Sequence, residues 1–390
     1  MAASGALSSH TRLAPLDGLR GIAVLLVLWY HVWEISWLPA PARWLQFVPE
    51  TGFIGVHLFF FLSGFVISYP FVQALVRGES APPWGHFAWR RFIKIVPSYV
   101  LSIAVALAIG YAQTQSTTPG LEAILSHLLF IHTWFPSTYG SINGVLWTLA
   151  VEVEFYLFFP LVWWCFARAP WLTGGAMIGV AVAWRYALAG CCYHTLFPSY
   201  SENLPGYLDI FACGMLCALV YCRYGAIARE RAEHFAPLLL LAGITATIAL
   251  LLGLYGFRTH DQWQAVWQMG RRQWFGVAFA AIALGALCSP RFVQRLLANP
   301  LLVFFGAVSY NLYLYHQMIA RELLWHRIPF YTGDPHADAH WQVTYTIVAV
   351  VVSIAEAALV TYIIERPLLR APDPPSLGAL LQTWGNAVRR

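Results

Sequence analysis

Apolar residues fall along this chain in long runs separated by short polar breaks. A helix needs about 20 apolar residues to cross ~30 Å of hydrocarbon. That ruler picks out ten runs: 20–38, 53–76, 92–112, 145–167, 171–190, 204–222, 236–257, 273–289, 301–324 and 341–364. An eleventh, 121–133, is short and contains Glu122, His127 and His132. The pattern predicts an all-α fold, a polytopic transmembrane helix bundle of about ten spans, with 121–133 re-entrant or interfacial.

Charge favours the same count, because short cytoplasmic loops retain lysine and arginine. With ten spans and the N-terminus inside, sixteen basic residues fall in cytoplasmic segments and six in outer loops, with Arg185 in mid-helix. Eleven spans would put the basic 223–231 loop outside. The expectation is a multi-pass protein of the cell (inner) membrane with both termini cytoplasmic. The first 15 residues have no positive n-region and no convincing cleavage site, so the first span should remain as an anchor. The chain divides into a cytoplasmic segment 1–15, a membrane domain 16–368 and a tail 369–390 that contains Pro372, Pro374 and Pro375.

Composition excludes several classes. Residues are 59% hydrophobic and 11% charged, against roughly 25% charged in soluble proteins, so charge is too scarce to cover several water-facing domains. The net charge of +5 does not imply a nucleic-acid partner, because the basic residues sit between apolar runs and not on one wet face. Seven cysteines are an odd number and lie mostly within apolar runs. Cys213 and Cys217 share a helix face without a histidine or acidic pair at ligand spacing, so helix packing and not a metal site is expected.

An ionisable side chain in mid-membrane costs at least ~2.5 kcal/mol and calls for a partner or a function. His31, Glu34, His57, Glu152, Glu154, Arg185, Asp209, His316 and Glu356 are such residues. Arg20 and His31 are eleven residues apart, about three helical turns, so they share a face with ~16 Å between them along the axis. An arginine at the water boundary can hold phosphate, and a neutral imidazole at depth can take a proton from a hydroxyl. The alternative is an interfacial anchor and a packed histidine bonded to Glu34. Glu152 reaches a depth close to that of His31, while Glu154 is about 200° around the helix and faces elsewhere. Both glutamates could instead bind partners between helices, Arg185 among them. Arg90, Arg91 and Lys94 could clamp a phosphorylated cofactor or simply obey the positive-inside rule. A transporter of a lipid-linked sugar or small metabolite would also use mid-membrane His and Glu, but it favours broken helices in paired halves, and no internal repeat is visible.

Seven motifs in register resemble acyltransferase family 3 of membrane proteins over roughly residues 14–368. They are Leu16 to Gly21 followed by His31; Gly55 to Phe65; Arg90 to Pro97; Trp147 to Tyr156; Leu208 to Gly214; Ser309 to His316; and Glu365-Arg366-Pro367. The resemblance implies transfer of an acyl group, most often acetyl from acetyl-coenzyme A, to a hydroxyl of a carbohydrate or glycosylated natural product. It makes His31 the catalytic histidine, Glu152 the acidic member, and Arg20, Arg90, Arg91 and Lys94 the coenzyme side. Glu34, His57, Asp209 and His316 are left as candidate substrate contacts, and no metal is expected, since a thioester already has a good leaving group. This sequence departs from the family at His57 and Val153, where acids are usual, and at Lys94 and Tyr207, where arginines are. Some members carry a fused extracytoplasmic hydrolase-like domain; here acylation is expected within the membrane domain or with a separate partner protein.

Overall fold

The computed structural model describes residues 13–110, 119–192, 200–258 and 264–370. The outer parts of the expected terminal segments, 1–12 and 371–390, lie outside the described residues. Among the described residues, twelve α-helices have seven residues or more: α1 (Ala14–Ser36), α2 (Gly55–Arg77), α3 (Trp84–Ala108), α4 (Leu121–Leu128), α5 (Trp147–Arg168), α6 (Pro170–Cys192), α7 (Leu204–Arg231), α8 (Ala236–Arg258), α9 (Arg272–Cys288), α10 (Arg291–Leu297), α11 (Pro300–Trp325) and α12 (Ala339–Val360). Among the described residues there is no strand.

Each of the ten predicted runs is a helix. Among the described residues, eight helices are long and apolar enough to cross a membrane, and α10 with α11, bent by 46°, makes a ninth candidate. The remaining run, 273–289, is α9, whose 17 residues extend about 25 Å. The boundaries move where polar turns continue a helix beyond its apolar stretch. Thus α3 begins at Trp84 and α7 runs on to Arg231. The 121–133 segment does not cross. Its helix α4 has eight residues, about 12 Å, and Phe130 at φ 58° turns the chain back. Capping bonds from Phe130 N to His127 O and from Ile131 N to Ser126 O close that turn.

The bundle turns apolar side chains outward, as lipid requires, with Leu157, Leu172, Leu238 and Val351 among the exposed ones. Polar groups face inward, and several of them find partners there. Arg185 donates to Asp209 at 2.8 Å and to the carbonyls of Gly206 and Met269. An ion pair this deeply buried is held by such additional bonds.

Two glycine seams fix the relative positions of the central helices. A Cβ on Gly64 of α2 would lie 2.4 Å from Phe211 O, and one on Gly214 of α7 2.2 Å from Phe61 O. Along α1 and α11, a Cβ on Gly21 would lie 2.3 Å from Leu302 O, and one on Gly306 2.2 Å from Asp17 O. Only glycine allows backbones this close, and close backbones interlock axially. Helices α1 and α11 run parallel. His31 is ten residues beyond Gly21 and His316 ten beyond Gly306, so the seam carries the two imidazoles to the same level.

Candidate active site

His316 Nε2 and His31 Nδ1 are 3.0 Å apart. His316 Nδ1 faces two backbone oxygens, Leu312 O and Tyr313 O, both at 2.9 Å, so that nitrogen carries the proton in the neutral ring. His316 Nε2 is then an acceptor. His31 Nδ1–H donates to it and to Val27 O at 3.0 Å. The hydrogen-bond network thereby assigns the tautomer of His31, leaving its Nε2 with a free lone pair, the form a general base requires. His31 is half-buried and His316 is buried.

Glu152 is on α5, and its carboxylate accepts from the Ser63 hydroxyl and the Tyr156 hydroxyl. The acid expected at the depth of His31 is thus bonded to hydroxyls, and the imidazole is paired with a second histidine. Arg20 and Glu152 do line one cavity of about 50 Å³, together with Ser63, Thr148, Tyr310 and Tyr313. It has room for a few water molecules and not for a thioester arm. Tyr313 links the cavity to the histidines, with its ring 5.7 Å from that of His316.

Arg20 and Arg91 each keep a buried Nε without a hydrogen-bond partner. Arg91 also lies 5.9 Å from the centre of the Tyr156 ring, on the Glu152 cluster. The other two expected coenzyme ligands are committed within the protein. Lys94 forms an ion pair with Glu365, whose other oxygen accepts from Asn311 at 2.8 Å, and Arg90 donates to Leu369 O at 3.1 Å. These bonds tie the basic motif to the chain after α12.

The remaining candidates are dispersed. Asp209 is the partner of Arg185. His57 Nε2 is 2.8 Å from Gln268 Oε1, with its ring edge-on to Tyr207. Glu34 is exposed at the far end of α1, beside Tyr30. Glu154 accepts from the indole of Trp134 at 2.6 Å and not from Arg185. At Tyr207, where the family pattern has arginine, a guanidinium from another helix, Arg272, lies 4.0 Å from the ring centre.

The residues missed by motif reasoning are Ser63 and the positioning role of His316. Ser63 stands in an apolar run with no spacing that singles it out. The identical offsets of His31 and His316 from a glycine were a signal available in the sequence.

A family model described as an acyltransferase domain matches residues 13–362. The acyltransferase MdmB of Streptomyces mycarofaciens is 26% identical over an alignment covering 93% of this chain and 96% of the relative. Nodulation protein 10 of Rhizobium leguminosarum bv. viciae is 27% identical, over 91% and 92%. The peptidoglycan O-acetyltransferase OatA of Listeria monocytogenes is 24% identical over 80% of this chain, which spans 50% of that relative. No solved structure matches.

Proposed function

Because this chain belongs to acyltransferase family 3, we propose that it moves an acyl group, acetyl in the first instance, from acyl-coenzyme A to a hydroxyl of a carbohydrate or glycosylated acceptor. The observation that carries this reading is the orientation of His31, whose Nδ1–H is occupied by His316 and Val27 O. The multi-pass bundle sits in the cell membrane with both termini and the arginine-rich end in the cytoplasm. The donor approaches from that end.

Arg20 and Arg91, each with an Nε–H that no protein group uses, hold the phosphates of the coenzyme. The pantetheine arm reaches along α1 toward His31, about 16 Å away. The Arg20–Glu152 cavity must widen to admit it. His31 Nε2 takes the proton of the acceptor hydroxyl as its oxygen attacks the thioester carbonyl. The tetrahedral adduct collapses, the C–S bond breaks, and the imidazolium returns the proton to the departing thiolate. His316 stays neutral and aims the ring. Glu152, held by Ser63 and Tyr156, positions the acceptor hydroxyl on the cavity wall. Glycosylated and peptidoglycan acceptors suit this site because it sets the hydroxyl and carboxylate groups of Ser63, Thr148, Tyr310, Tyr313 and Glu152 among apolar and aromatic walls, Phe59 and Phe60 included, against which a sugar ring can pack.

The test is incubation of the purified protein with labelled acetyl-coenzyme A and a panel of sugars, polysaccharides and macrolide-type acceptors. Label should enter an acceptor, and His31→Ala should lower that transfer by roughly 10²–10⁴-fold while the protein still folds. Undiminished transfer by His31→Ala removes the mechanism. Passage of unmodified sugar through proteoliposomes without any labelled product would favour a transporter.

A further inference from the structure

A second cavity, larger than the Arg20–Glu152 one, lies elsewhere. It measures about 680 Å³ and opens where α1 begins and α2, α7 and α9 end. Pro15, on its wall, is five residues from Arg20, about 140° around α1, so the Arg20 cavity lies on the other side of that helix. Four arginines line it: Arg77 from α2, Arg229 from α7, and Arg291 and Arg295 from α10. Tyr69 and Gln294 add polar donors, and no aspartate or glutamate is on the wall.

Among the described residues, none of the four guanidiniums is paired with a carboxylate. Arg229 uses one donor on Gly225 O at 3.3 Å and lies 5.6 Å from the centre of the Tyr221 ring. Topology accounts for basic residues at this end of the bundle. It does not require that side chains from three helices converge on one cavity without a counter-ion, because like charges held together repel. Helix α10 shows how the convergence is built. Arg291 and Arg295 are one turn apart on the cavity side, while Phe292 and Leu296, 66% and 67% exposed, form the adjacent face. That is the arrangement of a helix lying along a membrane interface.

We propose that this cavity binds a phosphate ester, held by guanidinium forks, at a site separate from the donor path through Arg20. Arginine presents paired N–H donors that match phosphate oxygens bidentately. The ester is either the headgroup of an anionic phospholipid, reaching in beside α10, or a free phosphorylated molecule from the aqueous phase.

The experiment uses the full-length protein in nanodiscs of phosphatidylcholine and reads the thermal unfolding midpoint. One arm adds inorganic pyrophosphate, and the other replaces a fifth of the lipid, roughly, with phosphatidylglycerol. At least one arm should raise the midpoint by several degrees, and the arm that does so identifies the source. The rise should vanish in Arg291→Gln/Arg295→Gln and persist in Arg20→Gln. Arg229→Gln is the second variant, should the double substitution fail to fold, and it should weaken the apparent affinity about tenfold. The proposal is overturned if neither probe moves the midpoint, if the cavity variants keep the full rise, or if Arg20→Gln abolishes it. Acetyl transfer is not read, so failure here leaves the donor mechanism standing, and the reverse also holds.

Discussion

Replacing His316 by leucine tests the histidine pair directly. The substitution removes the acceptor at 3.0 Å from His31 Nδ1 and leaves Val27 O as the only partner of that N–H. One neutral hydrogen bond contributes about 1 kcal/mol net, which is about fivefold in rate at 1.36 kcal/mol per tenfold. We therefore expect His316→Leu to lower kcat for acetyl transfer about fivefold, with the KM for donor nearly unchanged. His316→Gln, whose amide oxygen can accept from His31, should recover most of the loss. Because His316 acts only through His31, the effects cannot add. On a His31→Ala background, His316→Leu should cost nothing further. Steady-state kinetics at saturating acetyl-coenzyme A, run on the two single variants and the double variant, supply the comparison. If His316→Leu is as damaging without the His31 ring as with it, or has no effect on kcat in the wild-type background, the coupling does not exist.

Two further outcomes follow from pairings and burial elsewhere. Glu365 is 3% exposed beneath Lys94, so Lys94→Met should destabilise the protein by about 3 kcal/mol by leaving a buried carboxylate without its cation. Adding Glu365→Leu should restore most of the thermal midpoint, and no recovery would show that the pair is incidental. Outside the ten spans, burial pushes the His127 ring down to about 4, and His132, stacked on it with centroids 3.8 Å apart, is held low by burial and by its neighbour. An unfolded histidine titrates near 6.5, so between about 4 and 6.5 the unfolded chain binds the extra proton and stability rises with pH. The His127 contribution is complete above that window and is lost as pH falls through it, with an upper limit of about 3 kcal/mol. Thermal midpoints from neutral to mildly acidic pH should fall for the wild type and flatten in His127→Leu; an identical slope in the variant would refute the assignment.

The spans were legible because an apolar run of sufficient length is a property of one segment alone. The start of α3 and the end of α7 were less so, since the polar turns that extend them carry no hydropathy signal. The face shared by Arg20 and His31 follows from helical geometry within α1. The partners do not. Lys94 meets Glu365 across 271 positions and His31 meets His316 across 285, and such pairings depend on how two helices are phased against each other. Local reasoning therefore offered, as alternatives, a bond from His31 to Glu34, one turn away, and one from Glu152 or Glu154 to Arg185. In the structure Arg185 is taken by Asp209 and Glu154 by the indole of Trp134.

The interlocked backbones at Gly21 and Gly306 also constrain how the enzyme can breathe. Sliding α1 past α11 by a single residue, about 1.5 Å, would part the two imidazoles and drive carbonyl oxygens into neighbouring backbone. Gly64 and Gly214 clamp α2 against α7 in the same way. Helices α3 and α5 carry no such glycine clamp: α3 meets α11 where the Tyr310 hydroxyl donates to Ile95 O at 2.8 Å, and α5 meets α2 where the Ser63 hydroxyl donates to Glu152. Any displacement of α5 therefore carries Glu152 with it, while the clamp between α1 and α11 keeps His31 and His316 in register.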